Sequence, residues 1–191
     1  DANGTGNATA VVGNLAPDVA ATAAYQSAIT QKHLLGDAEG ATWNASATLV
    51  NTGSAKVGAI ASSSDGNALA TVIGGIAQTA SVETKGRTAT AVLDNRGTAE
   101  VSANASGAGT ISASVGTGGE TGAPAIRQFV YAAKSPDVTT VASGTFLNSG
   151  TLAVSATAAP LVAGGTSATA MLTGGVAQQI QATGRGNTDL T

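Results

Sequence analysis

Ile76-Ala77-Gln78-Thr79-Ala80-Ser81-Val82 reads as a β-strand with a glutamine on its apolar face. Under period-two alternation Ile76, Gln78, Ala80 and Val82 point the same way, so an amide sits among hydrocarbon side chains. Similar strings surround Gln26 (Ala24-Tyr25-Gln26-Ser27-Ala28), Gln128 (Ile126-Arg127-Gln128-Phe129-Val130) and Gln178 (Val176-Ala177-Gln178-Gln179-Ile180). The intervals are 78 − 26 = 52, 128 − 78 = 50 and 178 − 128 = 50. A strand-like period of this size marks a stacked repeat array. Burying an amide costs free energy unless it is hydrogen-bonded. Stacked identical strands supply the partner, because each amide can bond to the one above and the one below. The reading is an all-β chain, a parallel β-solenoid (β-helix) of about four modules of roughly 50 residues, with module marks at Gln26, Gln78, Gln128 and Gln178.

A second string fixes one corner of each module. Leu49-Val50-Asn51-Thr52-Gly53, Leu93-Asp94-Asn95-Arg96-Gly97 and Phe146-Leu147-Asn148-Ser149-Gly150 each precede an alternating strand. In 99–105, Ala99, Val101, Ala103 and Ala105 share one face; Ile111, Ala113 and Val115 repeat the pattern after a Gly-rich turn. Gly supplies backbone freedom at such a corner and Asn can bond to its own turn. The module is then strand, Asn-x-Gly turn, strand, Gly-rich turn, strand, short Gly turn, Gln strand. Prolines 17, 124, 136 and 160 mark loop insertions along the solenoid. Asn51, Asn95 and Asn148 join Gln78, Gln128 and Gln178 as candidate ladder residues, and Leu49, Leu93 and Phe146 are expected to stack. Residues 1–191 form a single array, expected to be a segment or subunit of a longer fibre.

Composition bounds the function. Of 191 residues, 42% are hydrophobic but only 3% aromatic, so the core is built of Ala, Val, Leu and Ile and its walls must lie close together. Charged residues are 10%, far below the roughly 25% of an ordinary domain. A net charge of −3 with scattered Lys and Arg gives no electrostatic case for nucleic acid. There are no cysteines, so neither a disulfide framework nor a thiolate metal site is expected. No apolar run approaches the roughly 18 residues that span a bilayer.

The residues that could carry chemistry are sparse. His33 is the only histidine and has no Cys or second His to share a metal or a triad. The eleven carboxylates are dispersed; only Asp37 and Glu39 are neighbours. Gly116-Thr117-Gly118-Gly119 lacks the Lys of a phosphate-cradling loop. Thr88-Ala89-Thr90 has the spacing of an ice-binding face but does not recur in each module. No catalytic, cofactor or metal residues are assigned, and the chain is read as a non-enzyme. Phe129 and Tyr131 fall opposite Gln128, where they either form an exposed lateral contact or lie under a neighbouring loop.

The Leu-x-Asn-x-Gly corners and Gly75-Ile76-Ala77-Gln78-Thr79-Ala80 resemble the Ala- and Thr-rich repeat proteins of bacterial surfaces, of the autotransporter-passenger or filamentous-haemagglutinin-like kind. The resemblance implies an extracellular structural fibre, adhesin stalk or biofilm filament on the cell surface, with no active site to carry over. Residues 1–6 and 184–191 resemble no capping element, so the expected partner is a second copy, stacked head to tail in a homopolymer. Surface glycans are a further partner class. The alternatives are a carbohydrate- or ice-binding module and a polysaccharide-active β-helix enzyme.

Overall fold

A computed structural model describes residues 1–12, 14–15, 25–26, 28–35, 44–82, 88–116, 123–133, 140–161, 167–182 and 188–190. Alternation of small apolar and polar residues, broken by Gly and Asn, produces eighteen strands and no helix among them. The chain opens with β1 (Ala2–Gly4), β2 (Ala8–Val12), the short β3 (Asn14–Leu15) and β4 (Tyr25–Gln26), and β5 (Ile29–Leu35). A first complete coil follows: β6 (Asn44–Asn51), β7 (Ser54–Ser63), β8 (Ala68–Val72) and β9 (Ile76–Val82). The second is β10 (Thr88–Asn95), β11 (Thr98–Gly107), β12 (Thr110–Val115) and β13 (Ile126–Ala132). The third is β14 (Thr140–Asn148), β15 (Thr151–Pro160), β16 (Ser167–Leu172) and β17 (Val176–Ala182), and β18 (Thr188–Leu190) begins a further turn.

Equivalent strands of successive coils stack into four sheets, ordered β6-β10-β14-β18, β1-β7-β11-β15, β2-β8-β12-β16 and β5-β9-β13-β17. Every pairing within them is parallel. The protein is therefore a parallel β-solenoid with four strands per coil. Leu49, Leu93 and Phe146 stand in register, as their shared string requires. Coil length changes from 93 − 49 = 44 to 146 − 93 = 53 residues without breaking register, because the corners absorb the difference.

The inward faces are those that the alternation marks. Ala89, Ala91, Val101, Ala103, Ile111, Ala113, Val115 and Val130 are all buried. Small side chains let opposing sheets approach closely. The glycines of the Asn-x-Gly corners have a different cause from the one the sequence suggests. Gly116 is the glycine with positive φ among the described residues, so the corner glycines do not serve a left-handed backbone. They serve stacking: a Cβ on Gly97 would overlap the carbonyl oxygen of Gly53, and one on Gly150 that of Gly97. Thr98 N donates to Gly53 O (2.7 Å) and Thr151 N to Gly97 O (2.8 Å), so the corners themselves are paired from rung to rung.

Two expectations are corrected. The first module mark is Gln31, not Gln26. Gln31 stands in register with Gln78, giving an interval of 78 − 31 = 47, whereas Gln26 pairs antiparallel with Asn14 in the β3–β4 hairpin. The reason is parity: Ile29 and Gln31 repeat the inward pair Ile76 and Gln78, while the string around Gln26 offers only alanines beside its Gln. Second, Pro160 is not in a loop. It closes β15 opposite Gly107, on a strand with no described neighbour on its other side, where proline is tolerated in a sheet. Pro17 and Pro136 lie outside the described residues.

Candidate functional site

Two amide columns run up the inside of the solenoid. On the fourth sheet, Gln78 Nε2 donates to Gln31 Oε1 (2.9 Å), Gln128 Nε2 to Gln78 Oε1 (2.8 Å) and Gln178 Nε2 to Gln128 Oε1 (2.6 Å). Three of the four amides also tie their strand to the next coil across a corner. Gln31 Nε2 donates to Thr48 O (2.7 Å), Gln78 Nε2 to Val92 O (2.8 Å) and Gln128 Nε2 to Thr145 O (2.9 Å). Those carbonyls accept only from N–H, so they fix which end of each amide is nitrogen.

The second column closes the Asn-x-Gly corner. Asn51 Nδ2 donates to Asn95 Oδ1 (2.7 Å) and Thr98 O (2.9 Å); Asn95 Nδ2 donates to Asn148 Oδ1 (2.6 Å) and Thr151 O (2.9 Å). The two columns have opposite polarity. Glutamine nitrogens point toward the β5 end of the stack, asparagine nitrogens toward the β18 end. Amide dipoles in a chain reinforce one another, so the antiparallel arrangement keeps both chains cooperative while their net moments oppose.

The ladders are sealed in the middle and open at the ends. Gln78 and Gln128 are fully buried and Asn95 nearly so, while Asn51 is half-buried and Asn148 and Gln178 are exposed. Burial of Gln178, expected from its parity, is therefore corrected. No described strand stacks on β17, so the inward face of the last rung meets solvent. Among described residues Gln178 Oε1 has no donor, and Gln31 Nε2 has no partner beyond Thr48 O. The strand edges follow suit. Among the described residues β15, β16 and β17 pair on one side only, as do β1, β2, β5 and β6 on the opposite end.

The remaining candidates do not gather into a site. Of the two alternatives for Phe129 and Tyr131, the exposed lateral pair does not hold for Phe129, which is buried. Its ring stacks on Tyr131 (centroids 6.3 Å apart, planes 9°) and lies under the Arg127 guanidinium at 5.2 Å. Tyr131 stays half-buried. His33 occupies an inward position of β5, with its Nδ1 2.8 Å from Ser46 O, and caps an edge rather than facing an acid. Among the described residues no three His, Cys, Asp or Glu side chains are placed to hold a metal ion. Asp37 and Glu39 lie outside those residues. Among the described residues the ion pairs join neighbouring side chains only: Lys56–Glu100 across one rung at 3.2 Å and Arg96–Asp94 at 2.6 Å.

Gln31 is the ladder member that the spacing misses. An Ile two residues before the Gln, shared by Ile29, Ile76 and Ile126, is the signal that finds it. No protein-family model, curated protein or solved structure matches the chain, and no helix is long and apolar enough to cross a membrane among the described residues.

Proposed function

We propose that this protein is an extracellular structural element that stacks head to tail into a cell-surface or biofilm fibre. One observation carries the reading: the glutamine ladder is open at both ends with matching chemistry. Among the described residues Gln178 presents an unmet acceptor at one end and Gln31 an unfilled donor at the other. Placing the β5 end of a second copy on the β17 end extends the ladder in its own polarity. It also brings unpaired parallel edges together, as edges template further strands. The low charge and the resemblance to Ala- and Thr-rich surface repeats support the extracellular setting.

The test is electron microscopy of concentrated protein beside a Gln178→Lys variant. Gln178 is exposed, so the variant keeps its strand circular dichroism, while the ammonium opposes the incoming Gln31 donor. The expected result is filaments for the native chain and dispersed single particles for the variant. Dispersed native particles at all concentrations, or unchanged filaments in Gln178→Lys, would overturn the reading.

A further inference from the structure

Inside the corner between the β6 and β7 sheets lies a cavity of about 130 Å³. Its walls are columns rather than a random set. Ile29, Ile76 and Ile126 form one wall and Leu49 and Leu93 a second. The third wall is Ala55 and Ala99, and here the side chains are too short to reach across. Leu152 occupies the next place in that alanine column and closes the cavity at the third coil. The opposite end reaches the β6 edge, where Leu49 is half-buried and Val50 exposed.

The only polar side chains on the wall are Asn51 and Asn95, and their amide nitrogens are engaged in the asparagine ladder and its carbonyl acceptors. The interior therefore offers hydrocarbon contact and little else. Apolar cavities of about 150 Å³ stay dry and accept small hydrocarbons. This one is long for its volume: its lining runs over several rungs at about 4.8 Å each. A chain matches that shape better than a ring.

We propose that this cavity is a binding site for the end of a single unbranched alkyl chain. The chain enters at the β6 edge, its terminal methyl rests against Leu152, and its polar head stays in solvent beyond Val50. No bond is made or broken. The site lies within one copy, but its mouth is at the β6 edge, where the fibre reading seats a second copy, so binding is measured on dilute, unstacked protein.

The probe is 1-octanol, followed by the shift in unfolding temperature and by the methyl NMR signals of Ile29, Ile76 and Ile126. The expected result is saturable stabilisation with shifts confined to the lining methyls, those of the three isoleucines together with Leu49, Leu93 and Leu152, and none with cyclooctanol, which has the same carbon number in a wide ring. Ala99→Leu copies Leu152 one rung earlier and fills the cavity. It should unfold at a higher temperature than the native chain without ligand and bind octanol at least tenfold more weakly. Ala55→Leu makes the same test nearer the mouth if Ala99→Leu does not fold. Co-sedimentation with phosphatidylcholine vesicles assigns the chain to a lipid; octanol binding without it assigns a free amphiphile. Absence of octanol binding, equal binding of cyclooctanol, or undiminished binding by a folded filled variant would each overturn the proposal.

Discussion

The second and third coils carry nearly the same pattern and differ in what lies above them. Val115 is fully buried, whereas its register partner Leu172 is 51% exposed; Ile126 is 1% exposed and its partner Val176 is 47%. Gln128 is sealed and Gln178 is not. Residue type and parity are conserved between these rungs, so neither decides burial. A solenoid strand is half a core, and the neighbouring coil completes it. The third coil thus has the chemistry of an interior rung at an exposed position.

The comparison can be broken by removing equivalent amides. Gln128→Leu should cost most, about 3 kcal/mol, because it strands the Gln78 acceptor inside the solenoid and frees the Gln178 donor. Asn95→Ala should cost about 2 kcal/mol, since Asn51 loses its acceptor and Thr151 O its donor. Gln178→Leu in dilute protein should cost about 1 kcal/mol or less, as solvent already reaches that amide. Lys56→Ala should change stability by about 0.5 kcal/mol at most, because its ion pair with Glu100 is largely exposed and is screened by salt. Urea unfolding of the four variants at low concentration checks the ranking. An equal loss for Gln128→Leu and Gln178→Leu would show that stacking does not set the worth of the amide.

The repeat and the parity were legible in the sequence because a rung must reproduce its neighbour's side-chain directions. The inward faces of β10, β11 and β12 follow from alternation, and the stacking of Leu49, Leu93 and Phe146 from the corner string they share. The place of Gln31 was not, because the amide interval changes from 47 to 50 residues as corners lengthen, and a fixed beat slides onto Gln26. The corner glycines were read for backbone freedom, while their cause is the carbonyl of the rung below. The axial cavity was invisible too. It arises from Ala55 and Ala99 facing the column of Ile29, Ile76 and Ile126, which is distant in sequence, and only the coiled chain brings them together.

The central claim, in-register stacking of one copy on the next, is tested most directly by a disulfide. The chain has no cysteine, and Lys32, Thr79, Phe129 and Gln179 form one outward column. Stacked parallel neighbours lie about 4.8 Å apart, within the Cα separation that a disulfide spans. A Lys32→Cys, Gln179→Cys double variant, oxidised at high concentration and run on a denaturing gel without reductant, should give a ladder of dimers, trimers and longer chains, while each single variant stops at the dimer or stays monomeric. Filaments that yield no such ladder would contradict the register and leave another joint, and monomers throughout would contradict stacking itself.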